Sequence, residues 1–242
     1  MEYFFIFLFS MSVISNPVIG MLIFLADREP CATERTYQLL KAGLFLFMTP
    51  LLPLCGIPFS SGLSSPSFLK GISAVWFFGV LISFVKIIRQ IHLFKKHVLS
   101  DIIPVHDQSL LTLVADIQQE FAITARIPVY YHPSVSSPAL VVMKRPFILL
   151  GETELTHQEL YLILKHELMH LKRKHVLYKR IGLLARTIYW YNPFMSLFVQ
   201  FFCDYCELDC DRMVLMHETK KRRLAYANLL FKLSSQHSIT TF

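Results

Sequence analysis

Charge is the scarcest commodity in this 242-residue chain: 17% of its residues are Asp, Glu, Lys or Arg, while 54% are hydrophobic. Soluble domains carry about 25% charged residues, so the deficit argues against an ordinary soluble protein and points to one that meets a membrane. Acidic residues are the scarcer sign, 17 against 24 basic, leaving a net charge of +7. No basic stripe interleaved with stacking aromatics lies outside the apolar segments. Direct nucleic-acid binding is therefore not expected, and Lys and Arg gathered on the cytoplasmic side of a membrane account for the excess. An even set of cysteines is also missing. The five are Cys31, Cys55, Cys203, Cys206 and Cys210, three of them crowded near one end. That is no secreted disulfide framework, and reduced thiols facing the cytosol are expected.

The first apolar run, FFIFLFSMSVISNPVIGMLIFLA (4–26), contains no charge and has no Lys or Arg before it. Its length and the lack of a basic start disfavour a cleaved signal peptide and favour a spanning helix, which needs about 20 apolar residues. A second run (42–59) is shorter and interrupted by Pro50, Pro53 and Pro58. A third (72–94) has Trp76 near one end and Lys86 and Arg89 near the other. The first loop holds Arg28, Arg35 and Lys41, the second only Lys70, and Lys95 and Lys96 follow the third run. Positive loops stay inside. The expected topology is an N-terminus outside, three crossings within residues 1–94, and a cytosolic domain over 95–242. This describes a multi-pass protein of the cell membrane, with membrane lipid as its first partner.

The cytosolic domain reads as α+β. In SLLTLVADIQQEFAI, Leu110, Leu113, Val114, Ile117 and Phe121 recur at helical spacing. Three β-rich runs follow, 127–132, 138–143 and 147–151, separated by PSVSSP and KRP. Then Thr156 and Glu159 form a capping box. It opens a helix that meets no Gly or Pro and can run as far as His175.

That helix carries LKHELMHLKRKH. At 3.6 residues per turn, His170 lies about 40° round from His166 and one turn along, so both imidazoles can face one metal. Glu167 sits on the flank, placed to take a proton from a water that zinc acidifies. A catalytic zinc wants three protein ligands and one open position. Downstream, CDYCELDCDRMVL offers Glu207, Asp209 and Asp211. Glu207 and Asp211 share a helix face, so Glu207 can ligate while Asp211 accepts the second N–H of a ligating histidine. His175 falls about 180° round a straight helix and is set aside. Cys203, Cys206 and Cys210 could form a soft-metal site, but their helical spacing among apolar neighbours reads as packing.

The stretch between the two motifs, 181–203, is long enough to span. A single crossing would put Glu207 on the far side from His166. Asn192-Pro193 at its middle signals a turn, and Arg186 would be costly at mid-bilayer. Two short helices forming a membrane-associated hairpin over about 181–203 are therefore expected.

Four pieces together resemble the BlaR/MecR-type antirepressor membrane zinc peptidases. They are SSPALVVMKRPFILLGE (136–152), HELMHLKRKH (166–175), YNPF (191–194) and ELDCDRMVL (207–215). The resemblance implies a gluzincin-type domain on the cytosolic face, with His166, His170 and Glu207 holding zinc, Glu167 as catalytic base and Asp211 behind a ligand. It also implies a cytosolic regulatory protein as substrate, such as a helix-turn-helix repressor. Members carry a further transmembrane helix and an extracellular penicillin-binding sensor domain, and the sequence to Phe242 contains neither. His175 stands where an aspartate is more usual, and Val142 where a glycine is expected. Two other functions fit the same membrane helices: a metal-binding receptor without turnover, and a structural partner of a separate sensor. Glu167, which neither needs, favours the enzyme.

Overall fold

The structure is a computed structural model that describes residues 16–26, 34–48, 67–135, 137–151, 155–216 and 218–237. Its elements are α1 (Asn16–Ala26), α2 (Glu34–Met48), α3 (Ser67–Ser100), β1 (Ile103–Pro104), α4 (Gln108–Glu120), β2 (Val129–Tyr131), β3 (Ala139–Val142) and β4 (Pro146–Leu150). They continue with α5 (His157–Lys172), α6 (His175–Ile188), α7 (Pro193–Leu215) and α8 (Lys220–His237). The chain divides into two compact units, residues 1–92 with 177–209, and residues 93–176 with 210–242.

The first unit is helical. Its core joins Ile19 of α1, Tyr37, Leu40 and Leu44 of α2, Ala185 of α6, and Phe198, Phe202 and Tyr205 of α7. Outside this core, α3 presents Val75, Phe77, Phe78 and Ile82 to the exterior, a large apolar face that water covers poorly. Ser73–Ser100 within α3 is long and apolar enough to cross a membrane. Among the described residues it is the one such helix, where three were expected. Of the first expected span, residues 4–15 lie outside the described residues and 16–26 form α1. Of the second, 49–59 lie outside them, and α2 starts at Glu34, well before the apolar run.

The tryptophans fasten α3 to the end of α6. Trp76 Nε1–H donates to the Ile188 carbonyl at 3.1 Å, and Trp190 Nε1–H donates to the Trp76 carbonyl at 3.3 Å. Gly79 makes this possible, since a Cβ there would meet the Trp190 indole at 2.2 Å. Gly79→Ala should therefore displace Trp190 and destabilise the protein by about 1–3 kcal/mol, outweighing the helix-propensity gain of about 0.5–1 kcal/mol. A lower melting temperature with altered tryptophan fluorescence is the expected reading.

Helices α6 and α7 break at the expected dipeptide. Asn192 Oδ1 accepts the Phe194 N–H at 3.0 Å and Pro193 takes the first helical position, where a missing N–H is harmless. The second arm is longer than expected, because α7 continues to Leu215.

The second unit is built on a four-stranded sheet of order β1-β2-β4-β3. β2 and β4 are parallel, while the outer pairs are antiparallel. Alternation along β4 sends Ile148 to a core with Leu113 and Ile117 of α4 and Leu164 and Leu168 of α5. Phe147 and Leu149 go to the opposite face, with Val141 and Val98. The small strand β1 has only two residues, too few for a periodic signal.

The capping box of α5 is present in full. Thr156 Oγ1 accepts the Glu159 N–H at 3.3 Å, and Glu159 Oε2 accepts the Thr156 N–H at 2.8 Å. The bond from the Thr156 backbone, then that from its hydroxyl, hold the Glu159 carboxyl below its ordinary range. A depressed folded pKa stabilises fully above the unfolded value, about 4.3, and that stabilisation is lost as pH falls through the folded one. Thr156→Ala should lower stability by about 1 kcal/mol at neutral pH and by less in acid, which denaturant titration at the two pH values checks.

The far end of α5 departs from expectation. The helix stops at Lys172, the Arg173 N–H bonds the Met169 carbonyl at 2.9 Å, and Lys174 takes φ 58°. A left-handed residue at this position closes a helix. Lysine takes it despite a penalty of roughly 1–2 kcal/mol for an L side chain. His175 therefore starts α6 instead of ending α5, and it is fully buried.

Candidate metal centre

The capped helix α5 carries His166 and His170 one turn apart. Their Nε2 atoms lie 3.2 Å from each other. Two nitrogens on one tetrahedral zinc, each at 2.0–2.1 Å, are separated by about 3.3 Å, so the pair is spaced as two ligands of a single ion.

The other nitrogen of each ring is held from behind. His166 Nδ1 is 3.0 Å from Asp211 Oδ1 and 2.9 Å from the Tyr226 hydroxyl, which itself donates to Asp211 Oδ1 at 2.6 Å. An ionised carboxylate only accepts, so His166 bears its proton on Nδ1 and leaves the Nε2 lone pair toward His170. Burial, then the neighbouring Asp211 charge, pushes the Tyr226 hydroxyl pKa upward, which keeps it a donor. Behind the second ring, His170 Nδ1 is 3.0 Å from His175 Nδ1. When His170 donates there, its own Nε2 lone pair also faces His166. Two lone pairs opposed at this distance repel unless a cation sits between them. The donor set therefore fits zinc.

The turn at Lys174 is what brings His175 behind His170, so the straight-helix argument that set His175 aside fails. The sequence offered no sign of the reversal. Tyr226, on α8, was likewise missed. No motif surrounds it, and only the packing of α8 on Leu162, Ile163 and Val214 places it.

Glu167 points to the sheet. Its Oε2 accepts the Leu140 N–H at 2.7 Å. β3 is an edge strand, and this N–H is turned away from β4. The carboxylate, one residue on from His166, thus stands against the outer edge of β3.

Donor atoms of His166, His170 and Cys210 all lie within 4.8 Å of one another, and Cys210 Sγ is 3.3 Å from His175 Nδ1. Glu207 belongs to the first unit, where its carboxylate accepts from Lys179 Nζ at 2.6 Å. Burial is the largest influence and opposes the Lys179 charge, but the Glu207 bond together with the nearby Glu207 and cysteine charges outweighs it and raises the ammonium pKa. Asp209 is buried. Burial pushes the Cys206 thiol up, which keeps it neutral and suits packing better than a thiolate site.

Comparison with known proteins places the chain in a family. A family profile described as BlaR1 peptidase M56 matches residues 60–242. The regulatory protein BlaR1 of Bacillus licheniformis is 29% identical over 133 residues, covering 54% of this chain and 22% of that protein. The methicillin resistance mecR1 protein of Staphylococcus aureus (strain Mu50) is 25% identical over 117 residues, 46% of this chain and 20% of its own length. The chain thus spans about a fifth of the length of the curated relatives it matches. It belongs to the BlaR1 peptidase M56 family.

Proposed function

We propose that this M56-family chain is a membrane-embedded zinc endopeptidase that cuts a cytosolic regulatory protein, repressor-like by its resemblance, in signal transduction. The observation that carries the reading is the 3.2 Å separation of the His166 and His170 Nε2 atoms with Glu167 beside them. His166, His170 and Glu207 hold the metal, with Asp211 and His175 steadying the two rings. Zinc, when bound, polarises the scissile carbonyl and acidifies the attacking water. An extended substrate segment adds to the outer edge of β3, which lays its backbone along Glu167. Glu167 takes the proton of the water and returns it to the leaving amine. The three crossings, the hairpin over about 181–203 and a cytosolic site belong to the same proposal. The wide apolar face of α3 supports a place in the bilayer.

Reconstituted in lipid vesicles, the protein should cleave a cytosolic protein mixture, lose that activity on chelation and regain it with zinc. Cleavage indifferent to chelation ends the metallopeptidase reading. A cysteine at exposed Asp204 should react only with reagents that reach the cytosolic face. Labelling from the outside overturns the topology.

His175 has its own test. His175→Ala removes the partner of the His170 Nδ1–H and should weaken zinc binding about 10–100-fold, the usual loss for a group behind a ligand. His175→Asp restores an acceptor and should recover most of it. Competition with a zinc chelator reads both.

A further inference from the structure

The side of α3 that faces α6 carries polar residues that the peptidase reading leaves unused. Ser83, Lys86 and Gln90 recur along one face of α3. Arg186 lies near the end of α6, Trp190 in the turn that follows it, and Ser196 in the first turn of α7. They line one open cavity of ≈ 400 Å³.

No Asp or Glu lines this cavity, and neither α3 nor α6 contains one. Lys86 and Arg186 therefore face a common space with no carboxylate between them. Ser83 and Ser196 make no hydrogen bond among the described residues, so their hydroxyls are available as donors. Thr187, also at the wall, spends its hydroxyl on the Leu183 carbonyl at 2.8 Å. The indole of Trp190 is fixed by its bond to Trp76 and closes one end. Two cations and two hydroxyl donors about one small cavity make a receptor for a tetrahedral oxyanion.

The position along α3 says where that anion comes from. Exposed apolar residues run without a charge from Val75 through Phe78 and Ile82 to Val85, and beyond Lys86 the exposed Ile88, Ile91, Leu93 and Phe94 are interspersed with basic residues. Lys86 is the first charge after that stretch, about 28 Å along the helix from its start at Ser67 and so about one hydrocarbon thickness away, and Arg89, Lys95 and Lys96 follow. The cavity thus opens where the uncharged stretch gives way to a mixed apolar and basic one, within reach of lipid headgroups. We infer that the α3–α6 cavity binds the phosphate of an anionic phospholipid, with Lys86 and Arg186 as its cationic contacts, Ser83 and Ser196 as hydroxyl donors, and the acyl chains against the exposed face of α3. This rests on α3 lying in the membrane and is independent of peptidase activity.

The test is native mass spectrometry of the full chain, purified in detergent and offered phosphatidylglycerol. Wild type should retain the lipid. Lys86→Gln with Arg186→Gln should weaken retention at least about tenfold, the loss of charge-assisted hydrogen bonds. Lys86→Arg should retain it, and so should Lys220→Gln with Lys221→Gln on α8, which removes equal charge elsewhere. If the double variant does not fold, Lys86→Gln alone, at an exposed position, gives the reading. Retention unchanged in the cavity variants, or an equal loss in the α8 variant, overturns the site. Excess inorganic phosphate or glycerol 3-phosphate should fail to displace the lipid. Displacement by either one overturns the lipid assignment and makes the cavity a soluble-phosphate site.

Discussion

Glu167→Gln should slow peptide-bond cleavage by about 10²–10⁴-fold, the contribution of a positioned general base, while the protein keeps its zinc. The amide is nearly isosteric and can still accept the Leu140 N–H through its oxygen, so the fold around β3 stays. What it loses is basicity. Zinc content by elemental analysis and cleavage by mass spectrometry separate the two effects. Equal cleavage by variant and wild type would show that this glutamate is not the base. Loss of zinc would show that it is a ligand.

The second large effect decides the third ligand. Glu207→Ala should weaken zinc binding by more than the roughly 10–100-fold typical of a group that only supports a ligand. Cys210→Ser should leave the metal in place. Two features make this pair of variants decisive. Cys210 Sγ already lies with the histidine nitrogens, within 4.8 Å, whereas one oxygen of Glu207 accepts from Lys179. Glu207 ligates only if its carboxylate shares itself between the ammonium and the metal, or exchanges one for the other. Lys179→Met should then tighten zinc, since a competitor for the same carboxylate is gone. The opposite outcome, zinc lost with Cys210→Ser and kept with Glu207→Ala, assigns the centre to two imidazoles and a thiolate.

Much of this was legible in the residues themselves. The three strands fell where β-branched runs between Pro-rich breaks placed them, each within a few residues. The Thr156–Glu159 box and the spacing of Leu110, Leu113, Val114 and Ile117 signalled α5 and α4, because caps and apolar periodicity are local. The histidine pair was legible for the same reason. The turn at Lys174 was not, because lysine is a poor left-handed residue and only tertiary packing holds it there. With that turn hidden, His175 was assigned to the wrong face. Tyr226 and Cys210 reach the histidines only through packing between elements distant in sequence, which no local pattern encodes. The apolar runs were plain, and Ser73–Ser100 meets the length and apolarity requirement among the described residues, while much of the first two runs lies outside them.

Under the proposed mechanism the bond between Leu140 and Glu167 would act as a turnstile. An extended peptide joining β3 would need the outward N–H of Leu140, and the Glu167 carboxylate already occupies it. Docking and idling are mutually exclusive: a chain that takes the rung sets the base loose beside its own backbone, and a chain that fails to take it leaves the base engaged. The strand edge thereby screens for segments that lie fully extended before any proton can move. A helical or folded stretch of the same sequence should then pass by uncut.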